Sequence, residues 1–150
     1  EYAAAWNALG VLAEDPKQAE VDFRRAFECD PDSMDAALNL GALLLKTGRA
    51  EEAFDYNRRA AMELPSDPQA QAQFGMNLYQ QGKLADAERA LVAVKRIDPR
   101  HASRPQLFLA EIYSRRGEKA RAAAELEELL STRPDAQLQR TIEGAIARLR

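Results

Sequence analysis

The sequence of 150 residues has little of the chemistry on which most metal and catalytic sites depend. It contains one cysteine, Cys29, and one histidine, His101. A single cysteine excludes an internal disulfide and leaves the redox compartment open, and we expect Cys29 to be a small buried residue. A lone histidine lacks the partners that a metal site needs, so we expect His101 in a solvated turn. No metal and no cofactor are expected.

Long apolar runs and dense basic stretches are missing as well. No segment reaches the roughly 18 apolar residues of a spanning helix, and no signal peptide is recognisable, so we expect no direct membrane span. The compartment stays open between cytoplasm and periplasm. The formal charge of −3 divides into −7 for residues 1–67 and +4 for residues 68–150. A net acidic chain without a basic stripe argues against nucleic acid as a partner.

Catalytic motifs are also absent from the sequence. It has no phosphate-binding glycine loop, no HExxH and no CxxC. Two acidic groups, Glu51/Glu52 and Glu125/Glu127/Glu128, resemble paired carboxylates, but their positions on the predicted helices make solvated faces the better interpretation. We therefore predict that the chain is not an enzyme.

One phrase recurs along the chain. "GRAEEAFDYNRRAAMELP" begins at Gly48, "GKLADAERALVAVKRIDP" at Gly82, and "GEKARAAAELEELLSTRP" at Gly117. The three glycines are separated by 34 and 35 positions. An altered copy, "EDPKQAEVDFRRAFECDP", covers residues 14–31. A period of this length is typical of stacked repeat architectures.

Each copy predicts a helical hairpin. Apolar residues recur at helical spacing on both sides of the glycine, and Ala, Leu, Glu, Arg and Gln dominate. Glycine favours the left-handed conformation that ends a first helix, and proline stops the second. Asp67 before Pro68 predicts a helix start, and Ser103 with Gln106 resembles a capping box. The terminating prolines are Pro31, Pro65, Pro99 and Pro134.

Small residues recur at fixed places in the repeat. An alanine lies early in each predicted second helix, and a glycine or alanine lies in the middle of each first helix. Small side chains allow neighbouring helices to approach closely, which offsets the cost of about 1 kcal/mol for a glycine inside a helix. The positions are Ala19, Ala53, Ala87 and Ala122, and Gly10, Gly41, Gly75 and Ala110.

These residues resemble the tetratricopeptide repeat (TPR) signature, W-x2-L-G-x2-Y followed by A-x3-F and P. In the first unit Trp6, Leu9 and Gly10 match the first part, and Ala19 and Phe23 match the second. The resemblance covers essentially the whole chain. It implies an all-α fold, a right-handed α-α superhelix of about four hairpins in a single domain, 1–150. The implied repeats are about 3–33, 34–67, 68–101 and 103–136, with a capping helix at about 136–150.

The first and last units depart from this pattern. The spacing between the glycine and the alanine is three residues shorter in the first unit, which predicts a shorter hairpin turn with Asp15 and Pro16 in place of glycine. The segment after Pro134 places apolar residues along one stripe, as a helix that covers the open end of a stack requires. These are Leu138, Ile142, Ala145, Ile146 and Leu149.

The resemblance implies a concave groove, lined by the first helix of each hairpin, that takes a peptide or a partner's helix. Side-chain amides there can pair with a peptide backbone, and Met76 and Tyr79 are predicted to supply apolar contacts. The candidate partner-binding residues are Asn7, Asp35, Leu38, Asn39, Ala42, Gln69, Gln73, Met76, Tyr79, Gln80, Phe108 and Glu111. Clamping of a terminal carboxylate is poorly matched, because neutral Gln69 and Gln73 fill the cationic positions.

A second surface follows the exposed side of the second helices. It carries Arg24-Arg25, Arg58-Arg59, Val92-Ala93 and Glu127-Glu128 in turn. The preferred interpretation is that these are solvent-exposed positions whose charge varies without a function. A convex contact, or a homo-oligomer in which oppositely charged ends meet, stays open as an alternative.

The chain is predicted to be a non-catalytic protein–protein interaction scaffold. It would act within a bacterial multiprotein assembly, such as a secretion, pilus or envelope complex. That setting rests on the resemblance alone. The alternative is a TPR targeting or regulatory segment of a larger enzyme, such as a glycosyltransferase or peptidase. RNA binding through helical repeats predicts a basic groove, and the neutral amides argue against it.

Overall fold

The computed structural model describes residues 2–150, which form nine α-helices and no strand. The helices α1, α3, α5 and α7 each pack on the next helix to form a hairpin, and the four hairpins stack into an α-α solenoid with α9 covering the end. None of the described helices is long and apolar enough to cross a membrane. The helices are α1 (Tyr2–Leu12), α2 (Pro16–Cys29), α3 (Met34–Lys46), α4 (Ala50–Glu63), α5 (Pro68–Gln80), α6 (Leu84–Ile97), α7 (Pro105–Arg115), α8 (Lys119–Ser131) and α9 (Ala136–Leu149).

The repeated glycines end the first helices as predicted. Gly48, Gly82 and Gly117 have φ angles of 76°, 74° and 75°. Beyond Gly48, the backbone N–H of Arg49 donates to the carbonyl of Leu44 at 2.8 Å, which satisfies an otherwise unpaired helix-end carbonyl. The left-handed turn then directs the chain back into the second helix of the hairpin.

The first hairpin is shorter than the others, but the shortening lies in a different place from the one predicted. Residues 13–15 connect α1 to α2, and residues 47–49 connect α3 to α4, so the two connections have the same length. The missing residues come instead from the end of α1, which stops at Leu12. A reversal needs a minimum number of residues, whereas a helix can lose its last turn. The predicted start of α2 is confirmed, because Asp15 caps it and Pro16 is its first residue.

The start of α7 also differs from its prediction. A capping box at Ser103 and Gln106 is wrong, because the helix begins at Pro105 and the residue before it has a left-handed backbone, with a φ of 50° at Arg104. Proline disfavours the right-handed helical conformation in the residue that precedes it. The Ser103 hydroxyl is therefore free to bond to His101 Nδ1, at 2.8 Å.

The small residues lie where neighbouring helices pack closely, as the sequence predicts. The alanines early in the second helices are buried. Each mid-helix glycine faces one side chain of its own hairpin: Gly10 faces Phe23, and a Cβ on Gly75 would lie 2.9 Å from Leu91 Cγ. A Cβ at Gly10 or Gly75 would force the facing side chain to shift, whereas the fourth hairpin accommodates Ala110 at the equivalent place.

Cys29 is exposed, so the prediction of a buried cysteine is wrong. It is the last residue of α2, whose packed face is formed by Ala19, Phe23 and Ala26. Cys29 lies beyond the last of these packed residues, where the chain leaves the helix and no neighbouring element of the described chain covers it.

The buried apolar side chains form two clusters. The N-terminal cluster lies in the first two hairpins and includes Phe23, Leu40 and Leu44. The C-terminal cluster runs through the last two hairpins and α9, from Leu78 to Ile146. The division between them falls where α4 packs on α5.

Candidate functional site

The first helices form the inner side of the solenoid. In residues 2–150, α1 contacts α3, α3 contacts α5, and α5 contacts α7, whereas α2, α4, α6 and α8 do not contact one another. Helices that are closer together on one side curve the stack toward that side. The surface of α1, α3, α5 and α7 is therefore the groove of the solenoid.

Most of the predicted groove residues keep part of their surface accessible. Gln73 does not, because only 3% of its surface is exposed and its Oε1 has no hydrogen-bond partner within the described residues. It lies under the groove and cannot contact a partner in this conformation. The half-exposed residues are Asn7, Leu38, Asn39, Ala42, Met76, Tyr79 and Phe108, and the exposed ones are Asp35, Gln69, Gln80 and Glu111.

An amide pair joins the first two helices of the groove. Asn39 Nδ2 donates to Asn7 Oδ1 at 2.9 Å. Each amide has two donor hydrogens and an acceptor oxygen, so this one bond leaves both side chains with further capacity. The pair can therefore bond to an incoming peptide backbone while staying in place.

An aromatic cluster occupies the other half of the groove. The rings of Tyr79 and Phe108 meet edge to face at 5.4 Å, and the Arg115 guanidinium lies 5.1 Å from the centre of the Tyr79 ring. Arg115 Nη2 also donates to the Tyr79 hydroxyl at 2.9 Å and to Glu111 Oε1 at 2.6 Å. Sequence reasoning missed Arg115, although its position four residues after Glu111 was a helix-pair signal.

The protonation states of this cluster follow from its burial and its contacts. Burial, together with the interaction of its hydroxyl with Glu111, raises the pKa of Tyr79 to about 12. The hydrogen bonds from Tyr79 and Arg115 lower the pKa of the Glu111 carboxyl. At neutral pH the groove therefore presents a neutral phenol beside an ionised pair of side chains.

The charged side chains on the second helices join neighbouring hairpins. Lys95 Nζ lies 2.7 Å from both Glu125 and Glu128, and Arg49 Nη1 lies 2.7 Å from Glu20. The interpretation of Glu125 and Glu128 as merely solvated is wrong, because they bind a lysine of the preceding hairpin. These pairs join non-equivalent positions of consecutive units, so the repeat register alone could not predict them.

The described residues do not meet the requirements of a metal site. Within residues 2–150 no group of three or more His, Cys, Asp or Glu side chains is placed to hold a metal ion. The lone histidine, His101, is half-exposed in the turn between α6 and α7.

Sequence comparison matches one TPR family model to residues 11–73 and a second to residues 73–137. The chain belongs to the tetratricopeptide repeat family. TPR proteins are general protein-interaction scaffolds, typically without catalytic activity. No curated protein matches the sequence.

Solved TPR proteins share this fold. YrrB, a TPR protein with an unusual peptide-binding site, is 28% identical with a TM-score of 0.82, over 95% of this chain and 74% of its own. A thermophilic TPR protein of Thermus thermophilus, TTC0263, is 22% identical with a TM-score of 0.73, over 98% and 80%. PilF of Pseudomonas aeruginosa is 21% identical with a TM-score of 0.78, over 99% and 67%.

Proposed function

We propose that this TPR domain is a non-catalytic scaffold that binds a peptide, or a helix of a partner protein, in the groove. The observation that carries the proposal is that accessible amide, thioether and aromatic side chains follow one another along the groove. The Asn7–Asn39 pair lies at one end, Met76 at the centre, and the Tyr79–Phe108 pair toward the other end.

These side chains suit a peptide ligand for separate reasons. The amides recognise backbone groups whatever the peptide sequence. Met76 is half-exposed and packs on the N-terminal cluster, so its flexible thioether can adapt to an apolar residue. Tyr79 is held by Arg115 and Phe108, so little side-chain entropy is lost when it contacts a partner. The likeness to YrrB, which has a peptide-binding site, supports this proposal.

The setting that we propose is a bacterial multiprotein assembly, of the secretion, pilus or envelope kind. Its support is the resemblance to TPR proteins and the absence of catalytic motifs in the sequence. In such an assembly the chain would hold a partner in place and leave any chemistry to other components.

Affinity capture with a groove variant tests the proposal. The double variant Met76→Glu/Tyr79→Ala places a charge at the centre of the groove and removes an aromatic contact. Partners captured by the wild-type chain from a lysate of the organism that encodes it, and identified by mass spectrometry, are expected to be lost. Circular dichroism is expected to show an unchanged helix content.

A matched control makes the same substitutions on α4, outside the groove. Met62→Glu/Tyr56→Ala changes an exposed methionine and a half-exposed tyrosine of that helix. The control is expected to keep the captured partners. Loss in the control with retention in the groove variant would place the contact on the second helices and contradict the proposal.

A further inference from the structure

The groove opens into a cavity at its C-terminal end. In residues 2–150 α9 contacts α8 but not α7, although each earlier first helix contacts the next one in the series. The gap between α7 and α9 is a cavity of about 580 Å³, which we name the C-terminal cavity. Its lining comprises Leu107, Ala110, Glu111, Ser114, Lys119, Leu126, Ala145, Arg148 and Leu149.

The floor of the C-terminal cavity is apolar. Leu126 is buried at its base, and Leu107 and Leu149 are half-exposed on its two walls. All three belong to, or pack against, the C-terminal cluster. An apolar side chain that entered would cover the exposed surface of both walls, at a gain of about 25 cal/mol for each Å² removed from water.

The rim of the C-terminal cavity carries two cations, Lys119 and Arg148, that form no ion pair within residues 2–150. Lys119 is the first residue of α8, and Arg148 lies in the last turn of α9, with its Nη1 extending along the helix toward Gly144. Both side chains are exposed. The acids around them bind other arginines: Glu111 pairs with Arg115, Glu118 with Arg121, and Glu127 with Arg150.

We propose that the C-terminal cavity takes an apolar side chain of the partner while Lys119 and Arg148 bind an Asp or Glu beside it. This assignment rests on the proposed groove function and deepens it by naming the chemistry of the ligand. The floor requires an apolar group, and the two rim cations complement an adjacent carboxylate. The net charge of +4 on residues 68–150 adds long-range attraction for an acidic segment.

Selection from a phage-displayed library of random dodecapeptides against the full chain tests the assignment. The peptides are displayed without a free carboxyl terminus, so any acid that is recovered is a side chain. We expect enrichment of a large apolar residue next to Asp or Glu. The affinity of the selected peptides is expected to fall about tenfold or more in Lys119→Glu/Arg148→Glu.

The control reverses two charges in a similar cavity on another face. Lys83 and Arg89 line a cavity of about 500 Å³ between α4, α5 and α6. The variant Lys83→Glu/Arg89→Glu makes the same change in net charge, and we expect it to bind the selected peptides with less than about a threefold change. Circular dichroism of both variants checks that the helices are intact.

The outcomes separate this assignment from the proposed function. Neutral or basic peptides, or equal binding by Lys119→Glu/Arg148→Glu, would overturn the assignment of the C-terminal cavity. If those peptides still lose affinity in Met76→Glu/Tyr79→Ala, the groove function stands without it. A selection that yields no groove-dependent peptide would overturn both.

Discussion

Asn57 occupies, in the second hairpin, the place that an apolar residue fills in the other three. Phe23, Leu91 and Leu126 are its counterparts. Asn57 is fully buried against Gly41, and neither its Nδ2 nor its Oδ1 has a hydrogen-bond partner among residues 2–150. A buried polar group without a partner costs about 1–3 kcal/mol.

Replacing Asn57 with leucine is expected to raise the free energy of unfolding by about 1–3 kcal/mol, because the penalty for the unpaired amide disappears. The third hairpin already packs Leu91 against Gly75 in this arrangement. The reciprocal control, Leu91→Asn, is expected to lower stability by about 2–5 kcal/mol. Chemical denaturation followed by circular dichroism measures both. A less stable Asn57→Leu would show that the amide is satisfied.

Tyrosine titration reports on the hydroxyls of Tyr79, which is half-exposed, and Tyr113, which is buried. Burial, aided by Glu111 for Tyr79 and by Glu88 for Tyr113, raises the pKa of each to about 12 from an ordinary value of 10.0. Because the folded pKa lies above the unfolded one, this stabilisation is complete below about pH 10 and is lost as the pH rises toward about 12.

The tyrosinate absorbance of the native chain is therefore expected to show a component near pH 12. Tyr79→Phe and Tyr113→Phe should each reduce the amplitude of that component. A variant that leaves the component near pH 12 unchanged would contradict the burial assigned to its hydroxyl.

At the level of elements, the hairpin turns depend on left-handed glycines. A Cβ on Gly82 would meet no atom of the described residues within 4 Å, so the cost of a side chain there is conformational. We expect Gly82→Ala to destabilise the fold by about 1–2 kcal/mol, since φ is 74°. The same substitution at Gly144, inside α9, is expected to stabilise by about 0.5–1 kcal/mol through helix propensity. Thermal unfolding of the two variants should shift in opposite directions, and equal shifts would refute the turn assignment.

Elements built from local signals could be predicted from the sequence. The glycines that end the first helices, Asp15 and Asp67 as caps, and the capping helix α9 all depend on residues a few positions apart. The start of α7 was missed because a proline overrode a plausible capping pattern. The shortening of the first unit was assigned to the turn, although the helix α1 absorbed it.

The groove could be predicted only in outline. The repeat register determines which helix face lines the groove, so the accessibility of Asn39, Met76 and Tyr79 could be predicted. The burial of Gln73, the contacts of Arg115 and the gap between α7 and α9 depend on how neighbouring hairpins stack. No spacing within a single repeat encodes those distances.

At the scale of the whole molecule, the junction between the second and third hairpins is held by different contacts from the other two. Ion pairs join the first hairpin to the second, such as Arg49–Glu20, and the third to the fourth, such as Lys95–Glu125. Among residues 2–150 no ion pair crosses the middle junction. Amides take their place: Asn77 donates to the Ala50 carbonyl at 2.9 Å, yet its own Oδ1 is buried without a partner in the described chain.

The division into two clusters predicts unfolding in two steps. The N-terminal cluster is the smaller one, and Leu9 and Leu12 of α1 remain exposed beside it. Trp6, the one tryptophan of the sequence, lies in α1 and reports on this half. Its fluorescence is expected to change at a lower denaturant concentration than the circular dichroism of the whole chain. Coincident transitions would indicate one cooperative unit.

Amide hydrogen exchange, with and without a peptide from the dodecapeptide selection, shows most directly whether the groove is the binding surface. We predict that bound peptide slows exchange in α3, α5 and α7 and leaves α2, α4 and α6 unchanged. Slowed exchange confined to the second helices would contradict binding in the groove.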